Sequence, residues 1–332
     1  MRRVNLDVDG PVNVADFGGE GPLMVLLHGL GGSHANWIRL GPLLAERARV
    51  LAPDLPGFGY TPPKGRATTV QANARWVGRF LQEVADEPAI LVGNSMGGLV
   101  ALLEAAANPE LVAGLVLLNP ALPPAPKEPR DLQVTLAFSA YFVPGVGEAF
   151  VRRRARALGP ERLVRETFAL CCVDPSRVPP EVIEAHVEVA RDREQMPWAH
   201  PSLLTAARSM LRLLLRRRQF MRMLRRVRQP ALLISGEGDR LVKLAAAKVA
   251  AEVKTEWTFR SLDDVGHVPQ LEDPERTARE VWTWLEGPGR GAWSATRPGE
   301  PRPRPLATSP SRPRLPASSL RPRGSPRSPP TP

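Results

Sequence analysis

The stretch that most constrains this chain is LVGNSMGGLV, Leu91 to Val100, where one serine sits among glycines between an apolar run and a helix-like run. Gly93-Asn94-Ser95-Met96-Gly97 fits Gly-x-Ser-x-Gly, the pattern of a sharp turn from a strand into a helix with a strained serine at its apex. Glycines two residues to either side remove the Cβ atoms that would collide where strand and helix converge. The same pattern also occurs as a plain small-residue turn in α/β proteins. What separates the two readings is whether a base, an acid and oxyanion donors lie where serine chemistry needs them.

The rest of the chain supplies the frame for such a turn. RVNLDVDG and PVNVADFG alternate like two antiparallel strands joined at Asp9-Gly10-Pro11. Short apolar runs then alternate with helical patterns. LMVLLHG leads into a glycine loop, Gly29 to Ser33, and RVLAPDLPGFG has a glycine-rich exit. TTVQANARWVGRFLQEVAD has helical spacing, with Thr68 or Thr69 as its cap. AILVGN and VAGLVLLNP read as strands on either side of the helix MGGLVALLEAAANP. This rhythm predicts a mostly parallel sheet covered by helices, an α/β fold.

From about Ala121 to Gln229 the rhythm changes to prolines and then helical patterns alone, after which ALLISGEGD restores the sheet. Residues 1–120 and 230–286 therefore form the expected core, and 121–229 an inserted helical cap over the carboxyl edge of the sheet, where open α/β sheets bind ligands. Asp273 can cap the last helix, with Pro274 at its first position. Residues 287–332 are Pro, Arg, Ser and Gly, too poor in apolar residues to fold alone, and are expected to be a disordered tail.

Charge is informative only once it is located. The chain of 332 residues carries a net +11, but nine Arg and one acid from Gly287 onward supply +8 of it, leaving +3 on residues 1–286. Residues 1–286 are thus not notably basic, and no specific nucleic-acid partner is expected. Two adjacent cysteines, Cys171 and Cys172, imply no disulfide framework. No run reaches the roughly 18 apolar residues of a membrane span, and the expectation is a cytoplasmic protein.

Five histidines are available as a base. His28 precedes the glycine loop, His34 lies within it, and His186 and His200 fall in the insertion. His267, in DDVGHVPQLEDPE, follows the last strand on the same edge as Ser95. The acid should leave a strand on that edge as well. Asp239 in SGEGD does so, with Glu237 as its local rival, while Asp263 and Asp264 lie too close in sequence to His267.

The order Ser95, Asp239, His267 resembles that of the α/β-hydrolase superfamily. HGLGGS, DLPGFG, GNSMGG, GEGD and GHVPQLEDPE match its pieces in order over residues 1–286. The resemblance implies Ser95 as nucleophile, His267 as base and Asp239 as its acid. It also implies an oxyanion hole from the N–H groups of Leu30 and Met96, with His28 supporting the loop. Neither metal nor cofactor is called for. A serine disfavours the members with an aspartate nucleophile, the epoxide hydrolases and haloalkane dehalogenases.

The elbow GNSMGG is similar to that of hydrolases cleaving carbon–carbon bonds in ring-fission dienones, where this asparagine sits near the substrate. Asn94 is on that ground a substrate-binding candidate; its alternative role is to bond nearby backbone. Those enzymes usually carry tryptophan after the catalytic histidine, where this chain has Val268, and it lacks their fuller glycine-proline oxyanion loop. Esterase or lipase-like cleavage of a small-molecule carboxylic ester therefore ranks first and carbon–carbon hydrolysis second. A small-molecule receptor that retains the triad is a third reading, and a nucleic-acid-binding arm in the tail a fourth. Leu211 to Gln229 reads as one amphipathic helix with a dense arginine face, a candidate for weak contact with an anionic membrane or micelle, or simply a solvated face. Oligomeric state is not legible.

Overall fold

The computed structural model describes residues 1–126 and 131–295. Strands β1 (Arg2–Asp7) and β2 (Pro11–Gly18) form the expected antiparallel hairpin, with Asp9 and Gly10 both at positive φ in its turn. They join β3 (Leu23–Leu27), β4 (Arg49–Pro53), β5 (Ala89–Asn94), β6 (Val112–Leu118), β7 (Ala231–Gly236) and β8 (Thr258–Leu262) in one sheet of order β1-β2-β4-β3-β5-β6-β7-β8. From β4 to β8 all neighbours run parallel.

Strand β3 lies between β4 and β5, so the chain steps one way from β3 to β4 and then reverses, crossing from β4 past β3 to β5. At such a switch point the loops leaving adjacent strands part and open a crevice. The loops in question are the glycine loop after β3 and the serine turn after β5.

The helices are α1 (Leu40–Ala45), α2 (Val70–Val84) and α3 (Met96–Ala107), followed by α4 (Leu132–Phe142), α5 (Val146–Cys171) and α6 (Pro180–Arg193). After them come α7 (Ala199–Leu215), α8 (Arg217–Arg226), α9 (Leu244–Val253), α10 (Pro269–Glu272), α11 (Pro274–Glu286) and α12 (Arg290–Ala295). The two-residue period of the strands decides which helices cover which face. Val25, Leu27, Leu91, Leu115, Leu117 and Leu233 pack against α2, α3, α8 and α9. Met24, Leu26, Ile90, Val92, Val116, Leu118, Leu232 and Ile234 pack against α1, α11 and α12. Thr69 caps α2 through its hydroxyl, and Asp273 caps α11 as the sequence suggests.

Helices α4 to α8 form the insertion between β6 and β7. Its longest element, α5, is kinked where Gly159 leaves helical geometry (φ 67°, ψ 170°) before Pro160, whose ring excludes the preceding residue from the helical region. The stretch Leu211 to Gln229 is not one helix. It breaks at Arg216 (φ −84°, ψ 53°), and α8 turns Phe220, Met221 and Leu224 into the core against α3 and α9. Burying such side chains is worth about 1.5–3 kcal/mol each, enough to pull this part of the insertion beside the sheet. Its arginines, among them Arg218, Arg222 and Arg225, remain on the outside.

The packed chain also extends past Glu286, beyond the boundary expected for the tail. In α12 Ala292 is buried against Gly114 of β6, and Trp293 meets Trp282 edge to face. The remainder of the expected tail, 296–332, lies outside the described residues. No helix among the described residues is long and apolar enough to cross a membrane.

Candidate active site

Strand β5 is buried along its whole length and passes directly into α3 through Ser95, whose φ of 53° and ψ of −117° fit neither element. Such a conformation costs of order 1–3 kcal/mol and persists only where the surroundings hold it. Here the Ser95 N–H donates to the Leu118 carbonyl (3.1 Å), and the Ser95 carbonyl accepts from Leu99 and Ala121 (3.2 and 2.9 Å). The glycines are sterically required. A methyl group on Gly97 would stand 1.9 Å from the Leu27 carbonyl oxygen, and one on Gly93 would stand 2.6 Å from the Gly97 backbone. The serine itself is half-buried.

Asp239 and His267 come from the loops after β7 and β8. The Asp239 Oδ1 atom accepts from the N–H groups of Leu241 and Val242 (2.7 and 3.0 Å), and Oδ2 lies 2.7 Å from His267 Nδ1. Both side chains are buried, at 0% and 5% exposure. With a carboxylate accepting at Nδ1, that nitrogen carries the proton, and Nε2 is left as the basic site of the neutral ring. Glu237, the rival acid, is exposed. Asp263 and Asp264 pair with Arg276 and Arg177 at the surface.

The backbone around His267 is pinned from several directions. The Asn94 amide donates to the carbonyls of Leu118 (3.0 Å) and His267 (2.9 Å), which ties the residue beside Ser95 directly to the histidine loop. The Asn94 N–H2 group thus bonds backbone. Asn119 donates to the Gly266 carbonyl and accepts from the Gly236 N–H, both at 2.8 Å. From the insertion, the Cys171 carbonyl accepts the His267 N–H at 2.5 Å. Val268 belongs to an apolar cluster with Phe168, Cys172, Val178, Val182 and Leu271 where the insertion meets the histidine loop.

The glycine loop after β3 lies against the serine, since a methyl group on Gly29 would come 3.3 Å from Ser95 Cβ. His28 fixes this loop. Its Nε2 accepts from the Leu55 N–H (3.0 Å), so Nδ1 must be the protonated nitrogen and donates to the Gly29 carbonyl (2.8 Å). The Gly32 N–H donates to that same carbonyl at 3.1 Å. Two donors on the carbonyl of the Gly29–Leu30 peptide hold its plane and polarise the Leu30 N–H on the other side. Met96, the first residue of α3, has an N–H with no acceptor inside the helix. Desolvation lowers the His28 pKa to about 4, which keeps the ring neutral.

A second buried pair supports the same loop. Asp54 accepts from the His34 N–H (2.6 Å), the His34 ring (3.1 Å), Asn13 (2.8 Å) and the Tyr60 N–H (2.9 Å). Burial alone would raise its pKa, but the His34 hydrogen bond and charge outweigh it and hold the carboxyl below its usual range. From the insertion, Arg193 Nη1 donates to the Gly31 carbonyl at 2.5 Å, and Asp192 accepts from the Tyr60 hydroxyl at 2.8 Å. Asn119, Asp54 and Arg193 were not singled out from sequence. Asn119 alone leaves a local sign, an asparagine before proline at a strand end, which here takes a positive φ of 43°.

Residues 22–274 match the family described as alpha/beta hydrolase fold. The chain is 34% identical over 259 residues to a pimeloyl-[acyl-carrier protein] methyl ester esterase of Aromatoleum aromaticum, covering 77% of this chain and 95% of that one. A protein of the same description from Methylococcus capsulatus is 32% identical over 273 residues, covering 80% and 96%. Among solved structures, a putative lipase from Acinetobacter baumannii superposes with a TM-score of 0.70 at 20% identity, over 87% of this chain and 92% of that one, a likeness of fold.

Proposed function

Because the chain belongs to the α/β-hydrolase family, we propose that it is a serine hydrolase that cleaves a carboxylic ester through an acyl-Ser95 intermediate. The observation that carries this reading is the buried Asp239–His267 contact at 2.7 Å, in a loop that Asn94 joins to the strained Ser95 turn.

In this reading His267 Nε2 takes the Ser95 Oγ proton as the oxygen attacks the ester carbonyl. Asp239 keeps Nδ1 protonated and stabilises the imidazolium that forms. The N–H groups of Leu30 and Met96 receive the developing oxyanion, a contribution of about 3–4 kcal/mol per donor in such sites. His267 then returns the proton to the departing alkoxide, and a water activated by the same nitrogen releases the acid. Asn94 serves as a positioning group for the histidine loop, and the insertion as a cap whose helices shape the acyl pocket.

The two curated relatives are named for methyl esters, so esters of small alcohols are the class to examine first. Carbon–carbon cleavage ranks below this because Val268 is committed to the apolar contact with the insertion. We place the activity in the cytoplasm, where the free thiols of Cys171 and Cys172 would persist.

The test is covalent labelling with a fluorophosphonate, which reacts with activated serines. The native chain should label once, and Ser95→Ala should abolish labelling and ester turnover together. Undiminished labelling of the alanine variant would show that another serine reacts, and the reading would fail.

A further inference from the structure

Glu272 occupies a position that packing alone does not explain. It ends α10, five residues after His267, and is buried at 2% exposure. Its carboxylate reaches in two directions. Oε2 accepts the N–H of Gly266 (2.7 Å), the residue before the histidine. Oε1 accepts the N–H of Asp174 (2.8 Å), which lies in the insertion just beyond α5. A buried charge is costly unless hydrogen-bonded, and an apolar side chain would fill the same space. What the carboxylate supplies, and an apolar group cannot, is two charge-assisted bonds to separate segments of chain.

The surrounding bonds show what those two segments do. Four consecutive backbone groups bracket the histidine, and each has a partner. The Gly266 N–H goes to Glu272, the Gly266 carbonyl to Asn119, the His267 N–H to Cys171 and the His267 carbonyl to Asn94. Asn119 and Asn94 belong to the sheet edge, so they fix the loop to the core. The Cys171 carbonyl belongs to the insertion, and Glu272 holds Asp174 three residues further on. The Glu272 carboxylate therefore binds the histidine loop and also secures the segment that presents the Cys171 carbonyl. Val268, just before the same short helix, and Leu271 within it cluster with Phe168, Cys172, Val178 and Val182. Arg39 braces it from outside by donating to the carbonyls of Leu271 and Arg177 (2.5 and 2.9 Å).

Resting on the reading of Ser95, Asp239 and His267 given above, we propose that Glu272 is a positioning residue for His267, through which the seating of the helical insertion sets the placement of the imidazole. It touches neither substrate nor the reacting atoms. Its effect falls on the chemical step, because displacing a catalytic group by about 1 Å can cost on the order of 100-fold in rate, while its hold on the insertion is one bond to the turn after α5.

The experiment compares Glu272→Gln and Glu272→Ala with the native chain on p-nitrophenyl butyrate, with active sites counted by fluorophosphonate titration. The Gln variant keeps the size of the side chain but offers one acceptor oxygen and turns an N–H2 group toward the other donor. Expected are a fall in kcat per titrated site of roughly 10- to 100-fold for Ala and less for Gln, with KM changed by no more than about twofold. The downfield proton resonance of His267 Nδ1–H, bonded to Asp239, should broaden or shift in both variants. Should the Ala variant fail to fold, the isosteric Gln variant carries the test. A drop in the number of titratable sites or in Tm with kcat per site unchanged overturns the proposal, since Glu272 would then serve only the fold. Failure of the native chain to titrate at all would strike the Ser95 reading instead, and the two failures are thereby told apart.

Discussion

At the scale of single residues, His28 and His186 show how burial fixes a protonation state that the sequence leaves open. Both are pushed by desolvation to a pKa of about 4, from 6.5. The folded pKa is depressed, so the folded chain declines protons that the unfolded chain accepts. Stability therefore falls as pH drops from about 6.5 toward 4, and levels off below that. Each ring can cost up to about 3 kcal/mol over this window. His28 has both ring nitrogens occupied. His186 does not: Nδ1 donates to the Val182 carbonyl, while Nε2 is buried without a partner beside the edge of Phe168. Replacing it should therefore remove an acid liability at little cost. His186→Leu is expected to change stability by less than about 1 kcal/mol at pH 7.5 and to lessen the loss between pH 6.5 and 4.5. Thermal melts of both chains across that range test this, and parallel curves would show that His186 is protonated in the folded state.

At the scale of elements, the strands were legible because period-2 alternation and continuous apolar runs are local signals. The caps at Thr69 and Asp273 were legible because a hydroxyl or carboxylate before a helical pattern has few other uses. Two elements depart from their sequence pattern for a common reason. The amphipathic pattern of Leu211–Gln229 is continuous, and only the demand of α3 and α9 for Phe220, Met221 and Leu224 breaks it at Arg216. Helix α12 follows Gly287-Pro288-Gly289 at the start of the Pro- and Arg-rich stretch, and the bare surface of Gly114 gives Ala292 a place to pack. Both are tertiary effects with no signature at short range. The second one changes what a truncation should do. Ending the chain at Ala295 should leave ester turnover and Tm nearly unchanged, since the residues beyond offer little apolar surface. Ending it at Gly289 removes α12 and should cost about 2 kcal/mol, or roughly 3 °C in Tm for a chain of this size. Equal melting temperatures for the two truncations would show that α12 contributes nothing to the fold.

At the scale of the whole molecule, the parallel sheet is readable from the rhythm of its runs, and Ser95, Asp239 and His267 share one edge of it because each follows a strand end. The insertion was readable only as helical. That it touches the site at both ends, through Arg193 on the glycine loop and Cys171 on the histidine loop, depends on packing between segments distant in sequence. Those contacts bear on the reaction type. A dienone must be ketonised and then held while a carbanion departs, which asks for groups aimed at the ring-fission product from the elbow and from the residue after the histidine. Here the Asn94 amide is spent on the Leu118 and His267 carbonyls, and Val268 is spent in the apolar seat of the insertion. An ester asks less, because in the proposed mechanism its alkoxide needs only a proton from His267 as it leaves. On the proposed reading the chain therefore favours ester cleavage, because the Asn94 N–H2 group and Val268, the two positions that would refine it for carbon–carbon cleavage, are engaged in structural contacts. Short- to medium-chain esters should be turned over with kcat/KM at least tenfold above that for a ring-fission dienone, about 1.4 kcal/mol in the barrier. Parallel assays of p-nitrophenyl esters and a dienone measure this ratio. An equal or higher value on the dienone would reverse the order of the two chemistries while leaving Ser95, Asp239 and His267 in their proposed roles.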